Sequence, residues 1–149
     1  MTSAHQLNSW LKRNDKFMGS FSSEKLPKFP KSLPKSLIIN LRVKNKKIGH
    51  WVGVILKREE CLFFDTYGRK VMNNKVINFL SPHYKYVVFN RRKIQHNKSK
   101  KCGEFTFVFI NSVYSRCDFN YFINLFYKCN ILKNDQLILF IMNKIIFKK

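Results

Sequence analysis

A chain of 149 residues with net charge +21 and 45% hydrophobic residues can bury a real core, which excludes a disordered basic tail. Cys61, Cys102, Cys117 and Cys129 form no Cys-x-x-Cys pair, so metal-type spacing is missing. The start lacks an apolar signal region, and the longest apolar run, within residues 137–147, is broken by Asn143 and Lys144. The expectation is one intracellular domain, 1–149, with reduced thiols and no membrane span.

In chain order, residues 4–16 carry Leu7, Trp10 and Leu11 on one face and predict an amphipathic helix. Residues 17–23 are expected to break it. Pro27, Pro30 and Pro34 make residues 24–35 an extended, lysine-rich connector. Strands are expected over 36–43, 50–57 and 60–67, with turns at 45–49 and at Arg58-Glu59. A short helix over 73–80 stops at Ser81-Pro82, and a fourth strand covers 84–90, followed by Arg91-Arg92-Lys93. Residues 104–115 fit both strand and helix. The helical spacing of Phe105, Val108, Phe109, Ser112 and Val113, with no turn inside the segment, favours a helix apolar nearly all round and therefore central. Asp118 and Asn134 are expected to cap two further helices, running to about 127 and 147. Strands in the middle and helices on both sides predict an α+β domain with a central mixed sheet.

The candidate chemistry gathers around Cys102-Gly103. Three lysines (Lys98, Lys100, Lys101) precede it and a buried segment follows. If that segment is a helix, Cys102 opens it, where unpaired N–H groups and the helix dipole favour negative charge and can bind an oxyanion. An isolated Cys-Gly is more often a buried apolar cysteine beside a turn. A nucleophile also needs a base and a group to orient it. His50 opens the second expected strand and Asp65 lies near the end of the third, so an antiparallel hairpin makes them cross-strand neighbours. Gln95 offers a neutral donor for the same oxyanion. His96 is a weaker candidate base without an evident carboxylate, and His5 and His83 are expected on the surface.

Gly49-His50-Trp51, Phe64-Asp65-Thr66-Tyr67-Gly68, Gln95 and Cys102-Gly103 occur in the order found in adenain, the adenovirus protease. Phe17-Met18-Gly19-Ser20-Phe21, Lys25-Leu26-Pro27 and Ile39-Asn40 extend the match. Over about residues 17–127 the chain resembles the adenain family, within the wider clan that includes the ubiquitin-like-protein proteases and the proteases of related virus-like DNA transposons. The resemblance implies a papain-type cysteine protease fold and an endopeptidase that cuts viral structural precursors. It implies Cys102 as nucleophile, His50 as base, Asp65 as its orienting group, Gln95 with the Cys102 N–H as oxyanion hole, and Trp51 shaping the cleft. No cofactor is required for such chemistry. The resemblance further implies DNA as an activator and a setting in the virion and host cell nucleus. An activating peptide joined by a disulfide finds no cysteine between Tyr84 and Gln95 to attach to.

The charge is uneven. Residues 1–101 hold 23 Lys/Arg and 5 Asp/Glu, net +18, while residues 102–149 hold 6 and 3, net +3. Such a field attracts nucleic acid. Lys44, Lys46, Lys47, Arg91, Arg92 and Lys93, together with the connector lysines, are the candidate DNA contacts. The abundance of Lys, Asn, Ile and Phe also fits an AT-rich coding sequence. Two other functions compete: a protease for ubiquitin-like modifiers, and a non-enzymatic basic virion protein that binds nucleic acid.

Overall fold

The computed structural model describes residues 1–42, 49–113 and 117–147. The elements run α1 (Ala4–Leu11), β1 (Phe17–Ser22), β2 (Lys35–Leu41), β3 (His50–Leu56), β4 (Cys61–Phe64), α2 (Asn74–Leu80), β5 (Val87–Phe89), α3 (Cys102–Val113), α4 (Phe119–Asn124) and α5 (Lys133–Phe147). The five strands form one sheet in the order β1-β2-β3-β4-β5. The β1–β2 and β4–β5 pairs are parallel, and the two central pairs are antiparallel. This is the mixed α+β sheet the sequence predicts. Val43, the turn at 45–48, and Lys44, Lys46 and Lys47 lie outside the described residues.

The sheet separates two apolar layers. Along β3, Trp51 and Ile55 face a cluster with α1, α3, α4 and α5, while Val52, Val54 and Leu56 face a second cluster with α2 and the connector. That alternation is the two-residue period of a strand buried on both sides. Helix α3 is buried at every position from Cys102 to Ile110, as its all-round apolar sequence requires. Phe105, Phe107 and Phe109 are each at most 1% exposed, and burial of each contributes about 1.5–3 kcal/mol.

Three expectations need correction. Residues 17–23 do not merely break a helix: they form β1, half-buried throughout and irregular between Phe17 and Ser20, where Gly19 has φ +134°. Its Gly and Ser residues give no apolar alternation to read. Asn134 does not cap α5 from outside. It sits inside the first turn, fully buried, donating to Ile94 O at 2.8 Å and to Tyr127 O, and accepting from Tyr127 N–H at 2.8 Å. Its amide ties the start of α5 to two loops. Asp118 occupies the N-cap position of α4 but makes no side-chain cap bond, and the helix ends at Asn124 rather than 127.

The decisive contact is between α3 and β3. Thr106 Oγ1 lies 3.4 Å from Trp51 O, and a Cβ placed on Gly53 would stand 2.7 Å from the Phe109 ring and 3.1 Å from the Thr106 methyl. Helix and strand therefore advance in the same direction. Cys102, one helical turn before Thr106, is some 6 Å further back along the axis, which is about two strand residues. That brings the first residue of α3 to the first residue of β3. Gly53→Val is expected to lower unfolding free energy by about 1–3 kcal/mol through overpacking, read as a reduced urea midpoint.

Candidate active site

The β3–β4 hairpin sets the first pair. Its two-residue turn is closed by Lys57 N–H donating to Glu60 O at 3.0 Å, and the register pairs Gly53 with Phe64 and Leu56 with Cys61. Continued past Gly53, that register puts Tyr67 opposite His50 and Asp65 opposite Val52. His50 and Asp65 are thus diagonal rather than direct neighbours, still within reach of a histidine. The His50 Nε2 to Asp65 Oδ1 distance is 2.8 Å. Tyr67 stacks on the imidazole, with ring centroids 4.7 Å apart.

Asp65 is 2% exposed and its hydrogen-bonding capacity is well used. Oδ1 also accepts from the Tyr67 N–H at 2.8 Å, and Oδ2 accepts from Arg69 Nε at 3.1 Å. Burial pushes its pKa up, but His50, the Tyr67 N–H and Arg69 outweigh burial and hold it below the ordinary carboxylate value. Asn90 brackets the backbone of Asp65, accepting from its N–H at 3.0 Å and donating to its carbonyl at 2.7 Å. Gly68, at φ +72°, lets the turn press against the next loop: an added Cβ would meet the Arg92 carbonyl carbon at 2.6 Å.

Cys102 is 4% exposed at the start of α3, close enough to His50 to act on the imidazole. With Nε2 committed to Asp65, Nδ1 is the ring nitrogen left for the sulfur. Burial pulls the His50 pKa down, but hydrogen bonds and charge from Asp65 and Cys102 overcome it and raise it to about 9. The structure therefore gathers Cys102, His50 and Asp65 in one constellation. Cys61 differs: buried inside β4 next to Glu60, its thiol is pushed up to about 12.

Gln95 comes to the same end of the sheet in a different pose from the one expected. It is 1% exposed; its Oε1 accepts from Thr66 Oγ1, and its Nε2 donates to Ser99 O at 3.0 Å and to Ser99 Oγ at 3.2 Å. Ser99 Oγ donates in turn to Asp135 Oδ1 at 2.8 Å. The donor foreseen for an oxyanion is thus already engaged by Ser99, although an amide nitrogen carries two N–H groups. Trp51 is a core residue, 5% exposed, whose indole N–H donates to Thr2 O at 2.9 Å; its edge lines a basin of about 280 Å³ beside Gly49. His96 contributes Nδ1 as acceptor for the Lys98 N–H, a local loop contact.

The basic run after β5 divides into three roles. Arg92 does not project towards solvent: Nη2 donates to the carbonyls of Ile123 and Phe126, closing the carboxyl end of α4, so a DNA contact by this side chain is displaced by a structural one. Lys93 hydrogen-bonds Asn97 Oδ1 and lies over the Tyr67 ring. Arg91 stays exposed. Tyr67, Arg69, Asn90, Thr66, Ser99 and Asp135 were not singled out from sequence. Only Thr66 and Tyr67 carried a signal there, from their place in the Phe64–Gly68 segment.

The chain is similar in structure to the ASFV pS273R protease, whose crystal structure superposes with TM-score 0.54 at 13% sequence identity. The match covers 86% of this chain and 62% of that one, so the chain spans less than two thirds of its neighbour. The two share one α+β fold. No family model and no curated protein sequence matches the chain.

The raised His50 pKa makes stability depend on pH. The unfolded histidine titrates near 6.5 and the folded one near 9, so the stabilisation is complete below 6.5 and is lost as pH rises through about 9. The stability gap between wild type and His50→Gln is expected to close over that window by on the order of 3 kcal/mol, measured by urea unfolding at stepped pH. Asp65 acts oppositely: its contribution is present above the ordinary value of 3.8 and fades as pH falls below it.

Proposed function

We propose that the chain is a cysteine endopeptidase, with Cys102 as nucleophile, His50 as general base and Asp65 as the group that holds the imidazole. The single observation behind this reading is His50 held between a buried carboxylate and the thiol that opens a buried helix. With its pKa near 9, His50 already carries the thiol proton on Nδ1 at neutral pH, and sulfur attacks the carbonyl carbon of the scissile peptide beside that imidazolium. The resulting oxyanion is held by the Cys102 N–H and by one N–H of Gln95, turned from Ser99 or using its second hydrogen. The imidazolium then protonates the departing amine, leaving a thioester. Water attacks the thioester with His50 again taking the proton, and the carboxylic acid and free thiol are released. No step calls for a metal or cofactor. Asp65 keeps Nε2 protonated and Nδ1 facing sulfur throughout.

The adenain resemblance makes viral structural precursors the proposed substrates and the virion and host nucleus the proposed setting. The fold shared with the ASFV protease supports the protease class. Iodoacetamide is expected to label Cys102 faster than Cys61, Cys117 or Cys129. Cys102→Ala should abolish peptide cleavage while leaving the thermal unfolding midpoint within a few degrees. Retained cleavage in that variant would end the reading.

DNA is the proposed activator. Support comes from the net +18 of residues 1–101 and from Lys25, Lys28 and Lys31, all exposed along the connector. With Arg92 engaged elsewhere, the contacts fall to these lysines, Lys44, Lys46, Lys47, Arg91 and the partly covered Lys93. Phosphate contacts carry no sequence information, so binding should be weakly sequence-dependent. Engagement of about six phosphates gives a log–log salt slope near −5. Duplex DNA should also speed cleavage of a DNA-bound substrate more than of a free peptide. Salt-independent binding with equal rates would reduce the lysines to composition.

A further inference from the structure

Three basic side chains converge on the Tyr67 ring. The His50 imidazole stacks on it with centroids 4.7 Å apart, the Arg69 guanidinium lies over it at 5.1 Å, and the Lys93 ammonium at 5.4 Å. Arg69 and Lys93 come from different segments, the turn after β4 and the loop after β5. Gly68 presses those segments together: a Cβ there would stand 2.8 Å from the Lys93 backbone nitrogen. Two cations in open solvent would spread apart; here one ring gathers both.

The negative charge nearby is already in use. Asp65 is buried and accepts from the Tyr67 N–H and Arg69 Nε, besides its contact with His50. Asp135 on α5 lies within electrostatic reach of Tyr67, but its Oδ1 accepts from Ser99 Oγ. The two cations keep donors to spare. The Arg69 side chain is 54% exposed and spends Nε on Asp65, while both of its Nη groups carry further hydrogens. Lys93 bonds Asn97 Oδ1 through an ammonium that has three hydrogens. A guanidinium fork beside an ammonium is the donor set of an oxyanion site.

Lys70 and Arg91, both exposed, adjoin the pair in sequence, so the site suits a polymer of anions. Duplex nucleic acid carries one charge per about 1.7 Å, against one per about 3.3 Å for the most acidic extended peptide, and meets the field of residues 1–101 better. Resting on the endopeptidase reading, we propose that Arg69 and Lys93 dock a backbone phosphate of nucleic acid, and that this docking is coupled through Asp65 and Tyr67 to the charge on His50.

Electrostatics sets the direction of the coupling. His50 meets Asp65 and Tyr67 from the turn after β4 and Cys102 from α3, while its β2 partner, Leu41, is uncharged. A phosphate on Arg69 draws on the cation that shares Asp65 with His50, and it adds negative charge near the imidazolium. Both effects hold the His50 proton more tightly. The imidazolium is already formed at neutral pH, so the coupling is read on the alkaline side.

Isotope-labelled histidine followed by NMR in the Cys102→Ala chain, where no thiol titrates beside it, needs no turnover. A short duplex at low salt should raise the His50 midpoint by about 0.5 pH, equivalent to about threefold tighter duplex binding when His50 is charged. Arg69→Gln and Lys93→Gln should each remove most of that rise while the connector lysines still bind duplex. Lys93→Gln leaves the buried carboxylate untouched and keeps the test decisive if Arg69→Gln unfolds the chain. Poly-glutamate at equal charge should raise the midpoint less. A midpoint unmoved by duplex, a rise that survives Lys93→Gln, or an equal rise with poly-glutamate would overturn the proposal. A wild type that cleaves nothing would sink the endopeptidase reading, while the titration would still decide the docking site.

Discussion

Everything at the candidate site depends on how closely α3 lies on β3. Gly53 removes the side chain that would hold Phe109 and Thr106 away, and the helix settles against the strand with both running the same way. A buried element must satisfy its own backbone and fill its surroundings, which α3 does with phenylalanine on several sides and with Thr106 Oγ1 donating back to Cys102 O at 2.7 Å. Its first residue then has one place to be: at the end of the sheet, beside His50. The thiol is positioned by core packing instead of by a loop, so its geometry inherits the rigidity of the core.

Around that contact the polar groups form two linked supports. One holds Asp65, through Asn90 on its backbone and Arg69 on its carboxylate. The other runs from Thr66 through Gln95 and Ser99 to Asp135 on α5. Thr66 follows Asp65 directly, and its carbonyl accepts the N–H groups of Ile94 and Gln95. The acidic turn after β4 and the loop leading to Cys102 are therefore fixed to each other. Buried polar chains of this kind hold their shape only when each member has a partner. Glu104 Oε2, which has none among the described residues, departs from that rule.

Charge serves two ends in this molecule. Most of the lysine excess stays on the surface as a field for polyanions. A few cations are tied to the fold: Arg69 against Asp65, Lys93 and Arg69 over the Tyr67 ring, and Arg92 on the last carbonyls around α4. Arg92 shows why a basic run cannot be read as one patch. Its neighbours go elsewhere: Arg91, at φ +27°, is exposed over the Phe89 ring, and Lys93 lies over the Tyr67 ring.

Short apolar and β-branched runs determined β2 and β3, the Ser81-Pro82 stop bounded α2, and helical spacing without an internal turn favoured a helix for α3. The hairpin arithmetic around Arg58-Glu59 determined that His50 and Asp65 share one end of the sheet, because an antiparallel register is counted from its turn. What the sequence could not determine was anything set by distant partners. β1 exists because β2 offers an open edge, not because Phe17–Ser22 alternates. Asn134 became an internal tie because Ile94 and Tyr127 arrive beside it, Gln95 faces Ser99 because Asp135 holds that serine, and Arg92 turns to α4 because a helix end there lacks donors. In each case a local side chain had several affordable partners, and only the folded chain, by burying some and exposing others, selected among them.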